Sequence, residues 1–142
     1  MSTYFRTQQD NQKETYSKNE NKITFDNQVF ELNAQGLPVK HTYGGVILNF
    51  KWQNGNLIEE NQGDAIGTFT YDDKKSPFYN CNVPKWFLLK WFGREYCSVN
   101  NIKTQKWDDD EPETYVYEYN TDGFPVTRTD DESSVTYKYK KR

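Results

Sequence analysis

A recurrence limits the folds open to this chain more than any other feature. FELNAQGLPVKHT from Phe30, FKWQNGNLIEEN from Phe50 and YEYNTDGFPVTRT from Tyr117 share one order: an aromatic, a spacer, an apolar residue, polar turn residues with glycine, then an apolar residue opening a new run. FTYDDKKSPFYN from Phe69 is a variant with Ser76 and Pro77 in place of the glycine, and VTYKYKK from Val135 is a last strand without its turn. Residues two apart on a strand share a face, so Phe30 with Leu32, Phe50 with Trp52, Phe69 with Tyr71, and Tyr115 with Tyr117 and Tyr119 each line one side. Glycine takes the positive φ of a tight turn, and Asn or Asp beside it tolerates the same region. Each unit therefore reads as a β-hairpin, with Pro38 and Pro125 near the start of a return strand, where a missing N–H costs least. The repetition predicts an all-β fold: an antiparallel meander of about eight to ten strands, curled into an open or closed barrel-like sheet.

Composition agrees with a fold whose interior is aromatic. Only 34% of the 142 residues are hydrophobic, yet 17% are aromatic, among them 11 Tyr, 9 Phe and 4 Trp. The mean hydropathy of -1.09 would suit a disordered chain, but disordered chains are poor in aromatics and strongly charged, and the net charge here is only -3. Lysines and arginines are scattered, which leaves no electrostatic footprint for nucleic acid. No apolar run is long enough for a membrane-spanning helix.

Residues 1–22, rich in Gln, Asn, Lys, Ser and Thr, read as a flexible polar leader or tether, without the apolar core of a signal peptide. The single β domain is expected over 23–142. Within it, NVPKWFLLKWFG breaks the repeat: Asn82 and Pro84 suit a helix start and Gly93 a helix end, predicting a short helix near 84–92 that plugs or covers the sheet, with a buried strand as the competing reading.

No catalytic signature is present. His41 is the single histidine, without a nucleophile motif or P-loop to accompany it, and Glu59, Glu60 and Asp72 are carboxylates that only a fold could pair. Glu118, Asn120, Asp122 and Gly123 imitate the start of a calcium loop, but Thr129 stands where the bidentate Glu is required and the flanks alternate as strands. The run Asp108, Asp109, Asp110, Glu111 and Glu113 reads as a solvated hairpin tip, with Asp108, Asp109 and Asp110 the residues a metal would use. No cofactor is expected. Cys81 and Cys97 either pair in an oxidising compartment, closing a loop of about 15 residues for about 3 kcal/mol, or remain buried thiols. Trp86 and Trp91, outside the repeat, are the first candidates for stacking on a ligand, followed by Trp52 and Trp107.

The ordered trio TFTYDDKKSPFYN, SVNNIKTQKW and TYVYEYNTDGFPVTRT resembles a family of secreted lipoproteins of gut bacteria, of unknown function and described as porin-like in fold; the hairpin unit is similar to YD repeats of large surface proteins. The likeness spans Ile23 to Arg142, with Ser76 where the family pattern has Asn. It implies an exported domain at the periplasm or outer-membrane surface, with the polar leader as the tether to a lipidated cysteine that this chain does not contain; such a lipid anchor would be its membrane contact. It implies no activity or catalytic residue. The expected function is non-enzymatic binding of a glycan, an apolar small molecule or an envelope protein partner; the alternatives are a carboxylate-based, glycosidase-like hydrolase and a purely structural spacer.

Overall fold

The computed structural model describes the backbone of residues 2–6 and 13–140 and the side chains of residues 20–140. Ten strands follow one another in chain order in one antiparallel sheet: β1 (Ser2–Arg6), β2 (Lys13–Asn19), β3 (Lys22–Phe25), β4 (Gln28–Leu32), β5 (Pro38–Tyr43), β6 (Val46–Gln53), β7 (Asn56–Asn61), β8 (Ile66–Lys75), β9 (Asn100–Trp107) and β10 (Glu113–Thr114). The helix α1 (Lys85–Phe92) lies between β8 and β9, and β11 (Val116–Tyr119), β12 (Pro125–Thr129) and β13 (Ser134–Thr136) form a second, three-stranded sheet. The meander is as expected from the repeats, and it stays open: the strand order runs from β1 to β10 without closing.

Two details differ from the sequence reading. The stretch taken as a leader carries β1 and β2, with Lys18 opposite Ile23 and Asn19 opposite Lys22; Met1 and residues 7–12 lie outside the described residues. Main-chain ladder bonds extend a sheet edge without requiring an apolar face, so the polar composition gave no sign of it. The meander is also not one sheet throughout: the chain breaks at buried Tyr115, and β11, β12 and β13 form the second sheet.

The repeat is real at the level of single hydrogen bonds. Asn33 Oδ1 accepts from the N–H groups of Gln35 and Leu37, and Asn120 Oδ1 accepts from those of Asp122 and Phe124, all at 2.9 to 3.0 Å. Gly36 and Gly123 follow at φ 79° and 87°, and both hairpins carry a bulge, at Leu32 opposite Pro38 and at Tyr119 opposite Pro125. The asparagine side chain thus closes the turn, mimicking a backbone turn. The β6–β7 hairpin uses the shorter Asn54-Gly55 pair, both at positive φ.

A second device links successive units. Trp52 Nε1 donates to the Pro38 carbonyl at 2.6 Å, Tyr71 Oη to the Leu57 carbonyl at 2.5 Å, and Tyr139 Oη to the Pro125 carbonyl at 2.6 Å, each 14 residues back. Pro38, Leu57 and Pro125 each stand two residues after a turn glycine and are fully buried. The polar tip of an aromatic side chain thus satisfies the buried carbonyl that follows each turn.

Register places the core on one face. Ile23, Phe30, His41 and Leu48 form one cross-strand row, and Phe50, Glu60, Gly67 and Trp107 another. The helix predicted over 84–92 covers that face: Trp86 packs 5.9 Å from Phe25 and 5.8 Å from Phe30, while Leu88 joins Phe50, Leu57, Phe69, Cys97 and Ile102. The sheets are tied by Tyr119, whose hydroxyl donates to Asp72, and by Tyr117 Oη on the Ile102 carbonyl at 2.5 Å.

Gly67 is the one position in the second row without a side chain, and the Trp107 indole fills the space; a Cβ there would stand 2.8 Å from the ring. Gly67→Ala is expected to destabilise the fold by about 1–3 kcal/mol. Urea denaturation of the Gly67→Ala, Trp107→Leu and double variants would show non-additivity, the double variant regaining part of the loss; additive effects would mean the two side chains do not compete for space.

Candidate functional site

The two core rows do more than fill the interior. Between the inner face of β4–β7 and the C-terminal end of α1 lies a cavity of about 340 Å³ with Phe30, Leu48, Phe50 and Leu89 as apolar walls and His41, Glu60, Lys90, Arg94 and Glu95 as polar ones. A second hollow of about 520 Å³ adjoins it, sharing Tyr43, Leu48, Glu60 and Arg94 and adding Gln62, Asp64 and the exposed Val46 and Ile47. Together they make a trough that starts under the helix and opens at the β5–β6 hairpin. Its size and its mixture of apolar wall and converging polar groups are those of a small-molecule site.

Strand register brings its side chains together. His41 on β5 and Glu60 on β7 both point inward because they continue the rows of Phe30 and Phe50. Gly93 ends α1 at φ 94° with its N–H on the Leu88 carbonyl at 3.1 Å, which swings Arg94 back over the sheet. Arg94 Nη2 donates to Glu60 Oε2 at 3.0 Å, and its guanidinium carbon lies 5.0 Å from the Trp107 ring. Gln62 Nε2 donates to the same Glu60 oxygen at 2.7 Å. Glu60 is almost wholly buried, so Arg94 and Gln62 are what allow a carboxylate to sit there. The chain of contacts runs from Gly67 through Trp107 and Arg94 to Glu60.

His41 is buried with its ring stacked on Phe30 at a centroid distance of 3.9 Å, tilted against Tyr43 at 4.8 Å, and hydrogen-bonded through Nε2 to Gln28 Oε1 at 2.9 Å. Burial, then the ammonium of Lys90, lowers its pKa to about 4, against a smaller raising effect of Glu60. The imidazole is therefore neutral at pH 7, a polar but uncharged wall of the trough.

The sequence candidates fall differently. Trp86 is buried in the seat of α1, and Trp52 has its indole N–H on Pro38, so both faces belong to packing. Trp107 forms the floor beneath Arg94. Trp91 is exposed at the end of α1, 6.1 Å from Phe87 and with Lys90 over its ring. Asp108, Asp109 and Asp110 are exposed, and among the described residues no group of three or more His, Cys, Asp or Glu is placed to hold a metal ion. Asp108 instead works in the turn: its carboxylate accepts from the Ile66 N–H at 2.8 Å. Cys81 and Cys97 are free, but only one of the two thiols is buried: Cys81 is exposed before α1, and Cys97 lies in the core with its Sγ donating to the Arg94 carbonyl at 3.5 Å. Packing directs Cys97 inward while Cys81 stays in a turn facing water. Arg94 escaped the sequence reading because nothing local marks it, whereas Tyr43 and Gln62 could have been found by extending the alternation of His41 and Glu60 by two residues.

Compared with known proteins, the chain matches no family model, and no curated protein is similar to it by sequence.

Two outcomes follow from this geometry. The unfolded chain, with His41 near the ordinary histidine value of 6.5, binds a proton that the folded chain refuses down to about 4. The contribution is thus fully present above pH 6.5 and lost as pH falls toward 4, on the order of 1–3 kcal/mol. Denaturation midpoints measured from pH 7 to 4.5 should fall more steeply for the native chain than for His41→Gln; parallel slopes would show that His41 does not resist protonation. For the cysteines, burial pushes the Cys97 thiol up to about 12, so Ellman's reagent should label only Cys81 in the folded protein and both thiols in denaturant. Release of neither thiol on denaturation without reductant would restore the disulfide.

Proposed function

We propose that the protein is a non-enzymatic binding domain of the cell envelope and that it takes a sugar ring of a glycan in the trough between the meander and α1. The observation that carries this reading is the juxtaposition, on one inner face, of the exposed ring of Tyr43 with the planar polar groups of Glu60, Gln62 and Arg94. A sugar presents an apolar C–H face beside rows of hydroxyls that both donate and accept. It is matched by an aromatic ring next to carboxylate, carboxamide and guanidinium groups already held in place by one another. Asp64 at the open end adds another acceptor. The envelope location rests on the resemblance of the three ordered motifs to exported lipoproteins.

A glycan and lipid panel read by intrinsic tryptophan fluorescence tests the reading, because Trp107 lies directly under Arg94. A glycan should bind, and Tyr43→Ala, at an exposed position, should weaken it by about tenfold, near 1.4 kcal/mol, while leaving the thermal midpoint unchanged. Silence across the panel would favour the spacer, and turnover of the bound glycan would favour the hydrolase with Glu60 as one of its carboxylates.

A further inference from the structure

A third hollow, of about 530 Å³, lies between the loop after β8, the end of α1 and the segment that leaves β13. Phe78, Phe92, Tyr96 and Tyr137 line it as a connected array: Phe78 lies 4.9 Å from Phe92 and 5.7 Å from Tyr96, and Tyr96 lies edge-on to Tyr137 at 6.2 Å. Phe92 and Tyr139 are 48% and 41% exposed, so a connected aromatic surface faces water here.

The charged side chains that line the groove have one sign. Lys138 and Lys140 line the groove, and no Asp or Glu does. Lys75 stands 5.8 Å from the Tyr79 ring and 5.2 Å from the Phe124 ring, which in turn packs 5.5 Å from Tyr139. Behind the wall Arg128, with 11% of its side chain exposed, has a loose ion pair with Glu95 at 3.9 Å and acts electrostatically on the phenol oxygens of Tyr96 and Tyr137. Those two hydroxyls are hydrogen-bonded to each other at 3.1 Å. One hydroxyl donates in that bond, which leaves the acceptor's own O–H free to turn toward an incoming oxygen.

We propose that this groove is a second binding site, independent of the trough, and that its ligand is an anionic amphiphile: an apolar chain or ring on Phe78 and Phe92 with a single carboxylate at the Lys138 and Lys140 rim. An acidic protein that gathers lysines at its most aromatic surface selects the sign of its ligand there. A neutral sugar would gain little from the lysines, and a cationic amphiphile would be repelled by them.

Isothermal titration with decanoate, decyl maltoside and decyltrimethylammonium, each below its micellar concentration, separates these cases. Decanoate should bind about tenfold or more tighter than decyltrimethylammonium. The double variant Lys138→Glu/Lys140→Glu should abolish that preference, and Phe92→Ala should weaken all three probes, with thermal midpoints unchanged because the positions are exposed. Tyr43→Ala should leave decanoate binding intact, which separates this site from the glycan trough. Equal binding of the three probes, no binding of decanoate, or a preference that survives charge reversal would overturn the proposal.

Discussion

An aromatic N–H or O–H reaching 14 residues back to a buried carbonyl is the contact on which the rest of this structure depends. Pro38, Leu57 and Pro125 are fully buried just beyond the hairpin turns, and a carbonyl left unsatisfied in a core costs about 1–3 kcal/mol. Trp52, Tyr71 and Tyr139 supply the donor, and Trp52 and Tyr71 also pack their rings against the core at the same point. One residue type thus solves two problems of an aliphatic-poor chain, core volume and polar satisfaction. This explains why tyrosines outnumber phenylalanines in a fold that needs an interior.

The trough is a consequence of that same regularity interrupted once. Where the second core row would carry another bulky side chain, Gly67 makes room for the Trp107 indole, and the indole gives Arg94 a face to lie on. Arg94 in turn lets Glu60 remain inside. The helix completes the arrangement from above, since its Trp86 and Leu88 close the core while its terminus at Gly93 delivers Arg94. A site of polar groups has been set into an aromatic core by a missing side chain and a helix end.

The hairpins, the short helix and the open or closed meander were legible because each is written in nearby residues: alternation for a face, Asn and Gly for a turn, Pro84 and Gly93 for helix limits. The linking bonds were legible in principle as well, since each acceptor stands two residues beyond a turn glycine and each donor is a Trp or Tyr at fixed distance. The strands before Lys22 were not, because main-chain pairing leaves no compositional mark. Nor were Trp86 and Trp91 separable by sequence, although one is buried and the other exposed, because helix orientation on the sheet decides which ring faces inward.

By itself the sequence determined the local rules: where the chain turns, which residues share a strand face, and that rings would build the core. Tertiary structure alone decided what those faces meet. Whether His41 and Glu60 stand in one trough depends on the register of four successive strands, and whether Arg94 joins them depends on the seat of α1. Turns and alternation are fixed by the covalent geometry of a few residues, whereas convergence of distant side chains is fixed by packing, which no short stretch of sequence contains.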